Sequence, residues 1–205
     1  MRSFRSVFAA LGLAVMGGFT MQAHADELPR VPDPAPASRV AFVGDSLAYG
    51  MGVATPHSLN GGIVGSGLSV GNPDRNFQHW KSFSEKADLT LVEIGTNDFG
   101  YTGGDRSQAL LSRDILPLAD KNALCIVLPP MPEKEAIRNG VVARSKTIRE
   151  WAVSNGISVV EPLYIPQTRA KDGIHFSLAG YKSMAASAIN SCRNYHVGVP
   201  VEEQH

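Results

Sequence analysis

The 205-residue chain has only two cysteines, no excess of either charge, and no apolar run beyond its first 25 residues long enough to cross a bilayer. Lysine plus arginine and aspartate plus glutamate each number 19. Such a balance gives no footing for a nucleic-acid or anionic-membrane partner, which would be met by a basic surface. Histidines are few and scattered. Beyond the first 25 residues they are His57, His79, His175, His196 and His205, in no spacing that suits a metal ion. The chain also lacks an internal repeat and any second composition regime, so its length suits one domain with a substantial core.

What the chain does have begins with its start. Arg2 and Arg5 precede an apolar stretch from Val7 to Met21, and Ala23-His24-Ala25 offers a small-x-small cleavage site before Asp26. The stretch is shorter than the roughly 20 residues a membrane span requires. Residues 1–25 are therefore expected to be a signal peptide, with an uncleaved anchor as the alternative, and the protein to be periplasmic or secreted. Cleavage removes two of the 19 basic residues and none of the 19 acidic ones, leaving a net charge of −2. Export permits a disulfide between Cys125 and Cys192; two buried free thiols are the other reading. Residues 26–37 are rich in proline and read as an extended lead-in, 38–196 as the domain, and 197–205 as a tail.

Within the domain, apolar runs alternate with helical patterns. Val40–Val43, Leu89–Ile94, Leu124–Leu128 and Ile157–Val160 read as strands; residues 76–86, 107–119, 134–154 and 177–193 read as helices, the last capped by Ser177. This alternation predicts an α/β fold with a parallel sheet covered on both faces. Such sheets bind ligands at the carboxyl ends of their strands. Gly44-Asp45-Ser46-Leu47 follows the first strand, Gly95-Thr96-Asn97-Asp98 the second, and Lys171-Asp172-Gly173-Ile174-His175 follows the last through a loop. All three should meet on one edge.

Acyl transfer to a serine needs a hydroxyl, a base and donors for the oxyanion. Ser46 is the candidate hydroxyl. Asp172, three residues before His175 across a glycine turn, can fix one imidazole nitrogen and leave the other for Ser46. Asn97 is the candidate side-chain donor to the oxyanion, and the glycine-rich segment 60–71 can supply a backbone amide. A competing pattern, Gly67-Leu68-Ser69-Val70-Gly71, has the Gly-x-Ser-x-Gly form of a nucleophile elbow but is followed by a turn instead of a helix.

This set resembles the SGNH hydrolases, the GDSL family of esterases and lipases, with blocks in the family's order from Gly44 to His175. The resemblance implies a three-layer α/β/α sandwich with a flavodoxin-like parallel sheet, Ser46 as nucleophile, His175 as base and Asp172 as its orienting acid. It also implies an oxyanion hole formed by the amides of Ser46 and Gly67 and the side chain of Asn97, with Gly65 as the alternative to Gly67. No cofactor or metal is implied. The expected reaction is hydrolysis or transfer of a small acyl group, acetyl first, on a carbohydrate, with Tyr101 or Trp80 as stacking surfaces. Lipase or thioesterase chemistry and a non-catalytic polysaccharide-binding accessory are the alternatives. Oligomeric state is left open.

Overall fold

The computed structural model describes residues 39–98, 104–119, 123–163 and 166–196. The expected signal peptide, the lead-in and the tail lie outside the described residues, as do Phe99 and Tyr101. In chain order the elements are β1 (Val40–Gly44), α1 (Ser46–Ala54), β2 (Leu59–Gly62), α2 (Pro73–Ser84), β3 (Leu89–Glu93), α3 (Gly104–Asp114), β4 (Ala123–Val127), α4 (Glu135–Ser154), β5 (Ser158–Val160) and α5 (Leu178–His196). The five strands form one sheet in the order β2-β1-β3-β4-β5, with every pair parallel.

Strand residues alternate between two buried faces. Ala41, Val43, Val92 and Ile126 point to a cluster that holds Trp80 of α2, Leu111 of α3 and Ile148 and Trp151 of α4. Phe42, Leu89, Leu91 and Val127 point the other way, onto Leu47 and Met51 of α1 and Met184 and Ala188 of α5. Burial on both sides explains why the strands read as continuous apolar runs. The layers are therefore α2, α3 and α4, then the sheet, then α1 and α5, which is the expected three-layer sandwich.

Two elements were not foreseen. The region after Ser46, not among the helices read from the sequence, is α1, and the glycine-rich 60–71 stretch opens with the edge strand β2. Both are packed too tightly to show an amphipathic pattern. A Cβ on Gly50 would lie 2.3 Å from the Tyr181 ring, and one on Gly62 would lie 2.1 Å from the Tyr49 amide nitrogen. Helix α3 ends at Asp114, before a short 3-10 turn over Leu116–Leu118 that contains Pro117. Trp80 is only 1% exposed and fills the core between α2 and the sheet, so it is not a stacking surface. Cys125 of β4 and Cys192 of α5 form a disulfide that closes a separation of 67 residues and ties α5 to the sheet.

Candidate active site

Order reverses in the sheet between β1 and β3, whose neighbours lie on opposite sides, and that switch point opens a crevice at the carboxyl edge. Both strands deliver site residues there. Gly44 ends β1 at φ +134, and a Cβ on it would come 1.7 Å from the Glu93 carbonyl oxygen, so only glycine fits. The next residue, Asp45, caps α1: its Oδ1 accepts from the Leu47 amide at 2.8 Å. Ser46 is thus the first residue of a helix, with its amide among the first-turn N–H groups that have no partner inside the helix. The dipole of α1 adds partial positive charge at the same point.

The opposite wall is a small hairpin after β5. Arg169 bridges to Phe176, the Ala170 amide donates to the His175 carbonyl at 2.7 Å, and Gly173 turns the chain at φ +71. In this turn Asp172 Oδ1 accepts from the amides of Ile174 (2.9 Å) and His175 (3.0 Å). Asp172 Oδ2 lies 2.5 Å from His175 Nδ1, and His175 Nε2 lies 2.9 Å from Ser46 Oγ. Partial desolvation works to raise the Asp172 pKa, but the His175 ring and the two amides together outweigh it and hold the carboxyl at about 2. Asp172 is therefore an anion at neutral pH, and it can stabilise a proton arriving on the imidazole.

Arg169 holds the hairpin from behind. Its guanidinium donates to the carbonyls of Gly173 (3.1 Å) and Met131 (2.8 Å), pairs with Glu133 at 3.5 Å, and lies 4.6 Å from the centre of the Phe176 ring. Nothing local in the sequence marked this arginine, because its partners come from two separate segments.

The third wall is the loop after β3. Asn97 Nδ2 donates to the Ser66 carbonyl at 2.8 Å, which leaves the second N–H of that amide without a partner among the described residues. Asp98, quoted above only as part of its motif, is the organiser of this wall. Its carboxylate accepts from the amides of Leu68 (3.1 Å) and Ser69 (2.9 Å) and from the Ser69 hydroxyl (2.8 Å). Arg144 of α4 donates to the Asp98 carbonyl and to Ser107 Oγ. Ser69, the rival serine, is thus bonded to a carboxylate and not to an imidazole. Gly67 lies hard against Asp98, whose two carboxylate oxygens would each be 2.7 Å from an added Cβ; Gly65 has open space at the equivalent position.

Comparison with solved structures identifies this arrangement of strands and helices. A GDSL-like lipase from Bacteroides thetaiotaomicron is 20% identical, with a TM-score of 0.57 over 77% of this chain and 89% of its own. The fold is that of the GDSL hydrolases. A lipase/acylhydrolase from Enterococcus faecalis (15% identity, TM-score 0.58, 77% of this chain and 96% of its own) shares it. So does an acetyl xylan esterase from Geobacillus stearothermophilus (15% identity, TM-score 0.55, 83% and 99%). No family model and no curated protein matches the chain.

Beside Ser46 and His175 a cavity of about 290 Å³ is lined by Tyr49, Gly50, Val53, Val64, Phe176, Leu178 and Tyr181. A larger hollow of about 440 Å³, against Leu128, Met131, Lys146 and Arg149, is lined by none of Ser46, Asn97, Asp172 and His175. Volume does not outweigh chemistry here, and the cavity with the serine is the candidate site. Among the described residues, no cluster of histidine, cysteine, aspartate or glutamate could hold a metal ion, and no helix is long and apolar enough to cross a membrane.

Proposed function

We propose that the chain is a serine esterase of the SGNH type that works through an acyl-enzyme. The observation that carries this reading is the unbroken contact from Asp172 through His175 to a serine at a helix N-terminus. Ser46 Oγ attacks the ester carbonyl carbon while its proton passes to His175 Nε2. The oxyanion rests on the Ser46 and Gly67 amides and on Asn97. Collapse of the tetrahedral intermediate returns the proton to the departing alcohol and leaves an acyl-serine. Water, deprotonated by the same imidazole, then releases the acid.

Acetyl esters of a carbohydrate are the proposed substrates, and a sugar hydroxyl in place of water would make the same site an acyltransferase. The apolar lining of the cavity, with Val53, Val64 and Leu178 each more than half exposed, favours a second reading in which a longer acyl chain is accepted. Export to the periplasm or medium is part of the proposal, supported by the leader pattern and by the disulfide. The test is a fluorophosphonate probe together with a panel of sugar acetates and esters of rising chain length. Wild type is expected to label and turn over acetyl esters, and Ser46→Ala to do neither. A folded wild-type protein that never labels would favour a binding accessory over an enzyme.

A further inference from the structure

Two carboxyl groups are buried together directly behind the nucleophile, and the mechanism above uses neither as an acid or base. Asp45 is 0% exposed and Glu93 1%. Leu89 and Leu91 of β3 face α1 and α5, so Glu93, next in the alternation, points under the first turn of α1. The Asp45 amide donates to the Glu93 carbonyl at 3.1 Å, which pins the two residues side by side. Yet Asp45 Oδ2, both Glu93 carboxyl oxygens and Thr96 Oγ1 have no partner in hydrogen-bonding geometry.

Two ionised carboxylates cannot satisfy each other, since both only accept. One shared proton resolves the mismatch by turning one carboxyl into a donor. Burial raises the Glu93 pKa well above the ordinary range and the facing Asp45 charge raises it further, outweighing the Ala48 amide and the Thr96 hydroxyl, which pull it down; Asp45 is also raised, chiefly by burial. The other titratable group against this pair is Tyr181 of α5, whose phenol desolvation pushes up to about 12, and Asp98 acts on Asp45 from the β3 loop. None of these supplies a positive charge that would keep Glu93 ionised.

Accounting for the first-turn amides shows what the pair does. The Asp45 amide goes to the Glu93 carbonyl, the Leu47 amide to Asp45 Oδ1, and the Ala48 amide faces the Glu93 carboxyl in a looser contact. Only the Ser46 amide is left, and it is the one the proposed oxyanion hole requires. We propose that Glu93 is a positioning residue that holds a proton and donates it to Asp45 Oδ2, so that the Asp45 cap locks the first turn of α1 with Ser46 facing His175. This rests on Ser46 being the nucleophile.

The test compares Glu93→Gln and Glu93→Leu with wild type in the full chain, using p-nitrophenyl acetate turnover, fluorophosphonate labelling and thermal melting. Glutamine keeps a neutral donor and should retain kcat within a few-fold. It should also lose the alkaline limb expected of wild type as Glu93 ionises. Leucine has no donor, and its kcat should fall about tenfold or more with KM held. Equal impairment of both variants, or an unchanged alkaline limb in Glu93→Gln, would overturn the proposal. Should Glu93→Leu fail to fold, infrared spectroscopy decides: a buried protonated-carboxyl band at neutral pH, lost in Glu93→Gln, is expected, and its absence from wild type refutes the assignment. A wild type that neither labels nor turns over ester would sink the esterase reading itself, while the infrared band would still report on Glu93.

Discussion

Asn97 commits one side-chain N–H to the Ser66 carbonyl, and in the proposed mechanism the other serves the oxyanion. The first bond fixes the amide plane, so the second donor is aimed before any substrate arrives, which is the condition for strong transition-state stabilisation. Loss of one such donor costs about 3 kcal/mol of barrier, or roughly a hundredfold in rate. Asn97→Ala should therefore lower kcat by about that factor on an acetyl ester and still label with a fluorophosphonate, because Ser46 and His175 do not touch it. Undiminished kcat would remove Asn97 from the oxyanion hole. Gly67 belongs to the same wall for a different reason. It is small because Asp98, which gathers the amides of Leu68 and Ser69, leaves no room for a Cβ.

At the scale of elements, the hairpin from Arg169 to Phe176 is a preorganised arm whose geometry is set by backbone bonds to Asp172 and by the Arg169 fork. Its pH response follows from Asp172. Because the folded-state pKa is depressed from 3.8 to about 2, the carboxylate contributes stability above the unfolded value and loses it as pH falls through the folded one. The melting temperatures of wild type and Asp172→Asn should thus differ at neutral pH and converge as pH drops from about 4 to about 2. The gap should be small, because both side chains are partly open to solvent; a gap that persists to the acid limit would show that the anion is not its source. The Asp172/His175 pair was legible in the sequence because it is local: three residues and a glycine define it. Strands β1, β3, β4 and β5 were legible because burial against the helix layers makes them mostly apolar, the polar exceptions being few. Helix α1 and strand β2 were not, since their glycines serve close approach and erase the amphipathic pattern. Arg169, Arg144, Asp98 and Glu93 were also hidden as positioning groups, because each acts on a segment distant in the chain.

The whole molecule depends on keeping three walls, built from four loops, in register at one sheet edge. Two of those walls hang from β1 and β3 at the centre of the sheet, whereas the histidine arm lies between the short edge strand β5 and helix α5. The Cys125–Cys192 bridge ties the C-terminal part of α5 to β4, with both cysteines wholly buried in the core shared with α1. A covalent tie across 67 residues removes conformational freedom from the unfolded chain, worth about 4 kcal/mol in the loop-entropy view. Reduction, or the Cys125→Ala/Cys192→Ala double variant, should therefore lower the midpoint of denaturant unfolding substantially. Under native conditions the fluorophosphonate labelling rate of Ser46 should be nearly unchanged, because the bridge touches none of the reacting groups. Loss of labelling in the folded double variant would instead mean that the bridge itself sets the approach of His175 to Ser46. The disulfide would then belong to the active site and not only to the scaffold.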